Sequence, residues 1–177
     1  IRTPKTLYAD KLIHIAWALD QIGGLPAIAK GLTGSQGKSV LPLIDPYQTN
    51  VYLQNFYQQK SRKENLLLQK FIDAGGKDIR AIVIDNQVVT AMERTAKPGE
   101  LRANISQGGA GKRIELSDED KQLCIRASNA CGLAVSGVDL IKNPDGVSYI
   151  VEVNGNYGYH IEKITGEPCP YKSPTDM

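Results

Sequence analysis

Asp139, Glu152 and Asn154 lie in two otherwise apolar runs, Leu133 to Lys142 and Val147 to Asn154, separated by Asn143-Pro144-Asp145-Gly146. That separator is a turn sequence, so the runs read as a hairpin. With the turn at 143–146, Lys142 faces Val147 and Asp139 falls opposite Ile150. Side chains alternate, so Glu152 and Asn154 share a face and Asp139 lies diagonal to Glu152 on it. Carboxylates this close repel unless something neutralises them. Two carboxylates and an amide oxygen suit magnesium, which takes a few protein oxygens plus waters and phosphates. A solvated sheet face with scattered acids is the other reading of the same residues.

Gly31-Leu-Thr-Gly-Ser-Gln-Gly-Lys-Ser39 nearly matches a P-loop and fails it, because position 32 is Leu and a strand pattern follows rather than a helix. A glycine loop between strands still exposes backbone N–H groups that can cover phosphates. Lys30, just before it, offers a point charge to the same anion. An ordinary hairpin loop explains the glycines equally well. Asp78 and Arg80 are two apart and share a strand face, with Arg94 at the end of the return strand. Arg102 and Asn104 sit in a long glycine-containing stretch. Arginine forks and amide donors suit phosphoryl groups and carboxylates.

Several elements must position these groups. Asp10 is placed to cap a helix to about Ile22, ended by Gly23-Gly24. Strands are expected at 26–30 and 39–44, and Asp45-Pro46 opens a helix to about Arg62. A strand follows at 66–72, then a hairpin of 78–84 and 87–94 around Asp85-Asn86. Residues 96–113 read as a long functional loop. Ser117-Asp-Glu-Asp120 resembles a capping box for a helix to about Ala130, stopped by Gly132. Strands and helices do not strictly alternate, so an α+β fold is expected rather than a doubly wound sheet.

Composition narrows the function classes. The 177 residues carry 21 Lys+Arg against 19 Asp+Glu, a net charge of +2, which argues against a surface built to neutralise nucleic acid. No apolar run approaches the roughly 18 residues of a membrane span. Cys124, Cys131 and Cys169 show no C-x-x-C spacing, and the expected setting is a reducing cytoplasm. Residue 1 is Ile rather than Met, which suggests a piece of a longer protein.

The ordered succession Ala-Ile-Ala-Lys30, Gly34-Ser35-Gln36-Gly37, Gln69-Lys70-Phe71-Ile72, Asp78-Ile-Arg80, Glu93-Arg94-x-Ala-Lys97, Arg102-Ala-Asn104, Gly108-Gly109, Gly137-Val-Asp139, Glu152-Val-Asn154 and Ile161-Glu-Lys-x-Thr-Gly166 resembles the ATP-grasp fold. Within it the sequence is most similar to RimK-like ribosomal-protein glutamate ligases. The resemblance implies two lobes holding ATP between antiparallel sheets, with residues 1–62 in the small lobe and 63–177 in the C-terminal lobe. It implies that Lys30 contacts ATP phosphates, that Gly34, Ser35, Gln36 and Gly37 form a lid, and that Gln69, Lys70, Phe71 and Ile72 form the hinge that reads adenine. Asp78 would reach the ribose, with Arg80 beside it in the nucleotide site. Arg102 and Asn104 would lie near the γ-phosphate, and Arg94 would bind the acyl phosphate or the incoming carboxylate. Asp139, Glu152 and Asn154 would hold Mg²⁺ or Mn²⁺.

The implied activity is an ATP-dependent carboxylate–amine ligase that adds glutamate or another amino acid to a protein, peptide or small-molecule carboxylate. The family often forms homo-oligomers. Lys70 stands where the hinge usually has Glu, and Gly155-Asn156-Tyr157-Gly158 replaces the family's small residues and Pro-Gly. The α/β domain that usually precedes the ATP-grasp unit is not in this sequence. A nucleotide-binding module without turnover, and a small-molecule ligase of the same superfamily, are the alternatives.

Overall fold

The computed structural model describes residues 1–32, 40–58, 66–96, 110–156 and 166. They form two compact units, one of Pro4–Ile72 and one of Ile1–Thr3 with Asp73–Met177. Both units are antiparallel sheets with helices, the α+β class expected.

In the first unit the elements run β1 (Thr6–Ala9), α1 (Leu12–Ile22), β2 (Ala27–Gly31), β3 (Val40–Leu43), α2 (Pro46–Gln58) and β4 (Leu66–Lys70). The sheet order is β1-β4-β2-β3, every pair antiparallel. Ile15, Ala18 and Ile22 recur at helical spacing along α1 and are buried with Leu53 and Phe56 of α2. Against them lie Ala9, Ala27, Ala29, Leu66 and Leu68, the inward residues of alternating strands. Gly23 closes α1 at φ +101°, a conformation that costs a residue with a Cβ. Asp10 does not cap α1: Lys11 holds the cap position without a side-chain bond. Asp10 Oδ1 instead lies 2.6 Å from His14 Nδ1, one turn on. Asp45 does bind the first turn of α2, accepting from the Gln48 N–H at 2.9 Å.

The second unit contains β5 (Lys77–Ile84), β6 (Gln87–Thr95), β7 (Ala110–Arg113), α3 (Asp118–Ala130), β8 (Val135–Lys142) and β9 (Ser148–Asn154) in the order β7-β6-β5-β8-β9. Asp85 and Asn86 take φ of 44° and 67°, the left-handed pair that a tight two-residue hairpin turn requires. Ser117 caps α3 by accepting from the Asp120 N–H. One face of the sheet packs on α3 through Ile79, Ala81, Val83, Ala91, Val138, Leu140 and Ile150 against Leu123, Cys124 and Ala127. The Ser136 hydroxyl donates to Ser128 Oγ at 2.8 Å, and Ser128 donates to the Leu133 carbonyl at 2.9 Å. Residues 1–3 border the edge strand β9, where the Ile150 N–H donates to the Arg2 carbonyl at 2.9 Å and Arg2 Nη1 donates to the Ser148 carbonyl at 3.3 Å.

Some boundaries differ from the sequence reading. Helix α2 is described to Gln58, and its expected end near Arg62 lies outside the described residues; β4 ends at Lys70 rather than Ile72. Residues 110–113, read as loop, are strand β7. The chain passes from the first unit to the second at Ile72/Asp73, because β4 pairs with β1 and β2 and completes the first sheet.

Candidate functional site

The face of the second sheet turned away from α3 carries the charges. On β5, Asp78 and Arg80 are two apart and alternate with Ile79 and Ala81, which pack on the helix. Asp78 pairs in register with Arg94 of β6, and Arg80 with Asp139 of β8. These cross-strand neighbours form forked ion pairs. Arg94 Nε and Nη2 donate to the Asp78 carboxylate at 2.5 and 2.8 Å. Arg80 Nε and Nη2 donate to Asp139 Oδ1 and Oδ2 at 2.7 and 2.6 Å. Arg94 Nη2 also lies 3.2 Å from Asp139 Oδ2, joining the two pairs. The Arg94 side chain is only 6% exposed.

Two β-bulges create this face. In the first hairpin, Ile82 pairs with Thr90 but Val83 pairs with Val88, so β6 holds one extra residue. Val88 packs toward α3, and after the shift Ala91 does so as well. Met92 and Arg94 are thereby sent to the opposite face. In the second hairpin, Leu140 pairs with Ile150 but Asp139 pairs with Glu152, leaving Val151 as the extra residue. Ile150 and Val153 both pack toward α3, while Glu152 and Asn154 join Asp139. The expected register, Lys142 on Val147 and Asp139 on Ile150, is therefore wrong. The turn closes with the Asn143 N–H on the Val147 carbonyl, so Lys142 faces Ser148. The bulge then moves Glu152 from a diagonal position to one directly across from Asp139.

Burial pushes the Asp78 carboxyl above its ordinary value, and Asp139 adds to this against the pull of Arg94. Burial also opposes the Arg94 charge, but Asp139 and Asp78 outweigh it and raise Arg94. Behind the sheet, Lys142 Nζ donates to the buried Asp120 of α3 at 2.7 Å. Burial works against the Asp120 charge, but Lys142, Ser148 and Ser117 outweigh it and hold the carboxyl below its usual range. That bond ties α3 to the hairpin bearing Asp139 and Glu152.

Among the described residues, no group of three or more His, Cys, Asp or Glu side chains converges on a metal-sized site. The third oxygen on this face is the amide of Asn154, opposite Gly137 in the next register pair. Asn154 Nδ2 is buried without a hydrogen-bond partner, so the protein does not tie that end of the amide down. Asp139 accepts two hydrogen bonds from Arg80 and lies within ion-pair distance of Arg94, short of the about four bonds that a carboxylate can take. Three oxygen-bearing side chains on adjacent strand positions, with acceptor capacity remaining, fit a small hard divalent cation.

The other expected residues are placed as follows. Lys30 is the fourth residue of β2, half-buried and paired with Val40 and Leu67. Gln69 is buried on β4, and its Nε2 donates to Thr6 Oγ1 at 2.8 Å. Exposed Lys70 ends β4, its N–H donating to the Lys5 carbonyl. Phe71 and Ile72 are half-buried and are the last residues of the first unit. Asp78, drawn by the resemblance toward a ribose, has both oxygens on Arg94 here. Gly34, Ser35, Gln36, Gly37, Arg102 and Asn104 lie outside the described residues. Sequence reasoning missed the pairing of Asp139 with Arg80 and Arg94. It follows from the β5–β8 register, which joins residues 59 apart and has no local signal, and for Arg94 from the bulge in β6 as well.

Solved structures share this architecture. D-cycloserine synthetase DcsG superposes with a TM-score of 0.74 at 12% identity, over 93% of this chain and 60% of that one. The ATP-grasp ligase PsnB complexed with minimal precursor, Mg and ADP gives 0.73 at 20% identity, over 96% and 50%. The fold is that of the ATP-grasp ligases. The RimK-like ATP-grasp domain matches residues 1–167, and the chain belongs to that family. A probable alpha-L-glutamate ligase of Shewanella pealeana is 41% identical over 165 residues, 92% of this chain and 35% of the relative. One from Legionella pneumophila is 38% identical over 167 residues, 93% and 54% respectively. The chain thus spans about a third to a half of these curated relatives.

Proposed function

We infer that the chain supplies the ATP-binding and phosphoryl-transfer part of a carboxylate–amine ligase, most simply one that adds glutamate or another amino acid to a protein or peptide. The observation that carries this is the row Arg80, Asp139, Glu152 on one sheet face, with Arg94 and Asn154 beside it, in a RimK-like ATP-grasp chain. The relatives' name, glutamate ligase, supports the amine. Unpaired Cys124 and Cys131 suit a reducing cytoplasm, and no helix among the described residues is long and apolar enough to cross a membrane.

In the reaction a substrate carboxylate oxygen attacks the γ-phosphorus, the bond to the β–γ bridging oxygen breaks, and ADP leaves. The amine then attacks the acyl carbon, phosphate departs with the bonding electrons, and the amine proton passes to solvent. The chain contributes positioning and charge rather than covalent chemistry. Asp139, Glu152 and Asn154 would hold a divalent cation, whose chemistry there is neutralisation of phosphate charge. We assign phosphate contacts to Lys30 and the 34–37 loop, adenine contacts to Gln69 through Ile72, and γ-phosphate contacts to Arg102 and Asn104. Arg94, buried between Asp78 and Asp139, orients those carboxylates and offers its remaining edge to the acyl phosphate.

Glu152→Gln keeps shape and removes charge at an exposed strand position. It should fold normally and lower ADP formation by roughly 10²–10³-fold, the usual effect of losing one electrostatic contact in phosphoryl chemistry. Wild-type turnover in that variant would sink the assignment. Binding of Mg-ATP by the wild-type chain with no ADP release under any acceptor would favour a nucleotide-binding module.

A further inference from the structure

The Asp139 carboxylate is already engaged by one cationic group at close range and touched by a second. Arg80 takes both of its oxygens, at 2.7 and 2.6 Å, and Arg94 adds a contact to Oδ2 at 3.2 Å. Oδ2 meets both guanidiniums and Oδ1 only that of Arg80, so Oδ1 is the oxygen with more acceptor capacity left. Any cation using it becomes a near neighbour of the Arg80 guanidinium, and like charges sharing one carboxylate repel. The charge balance points the same way. The salt-bridged group and its neighbour Glu152 set three carboxylates (Asp78, Asp139, Glu152) against two guanidiniums (Arg80, Arg94), a net charge of only −1. A bare divalent ion meets little net attraction on such a face. An ion that arrives with phosphates meets guanidiniums able to take those phosphates.

We propose that Arg80 is the resident countercation of Asp139 and competes with a divalent metal for it, so that the metal is admitted together with nucleotide phosphates and is held weakly without them. This rests on the ligase reading above for the identity of the incoming ions. It goes beyond that reading by giving Arg80 a sign. An arginine that merely oriented Asp139 would strengthen metal binding, whereas a competitor weakens it.

Mn²⁺ titrations of the full chain, followed by electron paramagnetic resonance of the free ion, separate these cases. Without nucleotide, Arg80→Met should bind Mn²⁺ about tenfold more tightly than wild type, the scale of one charge contact at a partly exposed site. Arg80→Lys, which keeps the charge but loses the fork, should fall between them. With ADP present, wild type should gain about tenfold in Mn²⁺ affinity and Arg80→Met distinctly less. Equal or weaker Mn²⁺ binding by Arg80→Met without nucleotide overturns the proposal. Should Arg80→Met not fold, Arg80→Lys and the wild-type comparison with and without ADP carry the same signs, and an ADP-independent Mn²⁺ affinity overturns it. If wild type binds no Mn²⁺ with ADP and Glu152→Gln behaves identically, the ligase reading itself fails and takes this inference with it.

Discussion

Replacing Arg94 with Met should destabilise the second unit by about 3–5 kcal/mol, the usual cost of removing one partner from a buried ion pair. The size follows from what Arg94 touches. Its guanidinium meets Asp78 through two bonds of 2.5 and 2.8 Å and Asp139 through one of 3.2 Å. A charge pair at about 4 Å in a medium of effective dielectric near 20 is worth roughly 4 kcal/mol, and two such pairs are lost. The desolvation of Arg94 itself is recovered on its removal, which holds the net below the sum. What remains is Asp78 without its partner and an uncompensated repulsion with Asp139. Asp78→Asn alone leaves Arg94 on Asp139 and should cost less, about 1–3 kcal/mol. The double variant Asp78→Asn, Arg94→Met should be more stable than the two losses added together by about 2 kcal/mol, because each single variant strands the other group. Urea-dependent amide exchange of β5 and β8 at neutral pH reads this unit directly. A single-variant loss below about 1 kcal/mol, or additivity within about 0.5 kcal/mol, would refute the reasoning.

Cys124 supplies a pH test. Burial first, then Asp120 and Asp139, pushes its thiol up to about 12 from 9.0. The unfolded chain therefore ionises first, binds fewer protons than the folded one between those values, and is favoured as pH rises. Stability should fall by up to about 1.4 kcal/mol per pH unit above 9, and Cys124→Ala should remove that part of the slope in denaturant midpoints taken from pH 8 to 10.5. The same burial predicts that a thiol reagent modifies exposed Cys131 in the native protein and Cys124 only on unfolding. Ser117→Ala should cost about 1 kcal/mol through loss of the α3 cap, read as a lower melting temperature with the fold retained.

Much of this architecture is legible in the residues. Helix α3 announces itself by Ser117, its acidic first turn and Gly132, and the first hairpin by Asp85-Asn86, because caps and tight turns are local chemistry. The bulges are not local. A strict two-residue turn pairs Ile84 with Gln87 and would set Glu93 rather than Arg94 opposite Asp78. The extra residue in β6 is absorbed because Val88 and Ala91 both find α3 to pack on. Strict alternation in the second hairpin likewise misplaces Asp139 relative to Glu152, although it correctly puts Glu152 and Asn154 on one face. Strand β7, Ala-Gly-Lys-Arg, has no apolar signature and exists because β6 offers it an edge. Strand β4 completes its sheet with β1, nearly sixty residues earlier, a pairing no local pattern encodes.

The contact of Arg2 with β9 has a consequence for synthesis. Arg2 and Ser148 are 146 residues apart in the chain. At roughly 5–20 residues per second, a ribosome needs about 7–30 s to make that interval. Every strand pairing of the first sheet lies within residues 4–72, so that sheet can close while Arg2 still waits for its neighbour. A nascent chain halted before residue 148 would hold one finished sheet and one with the edge of β8 bare, an invitation to mispairing that β9 removes.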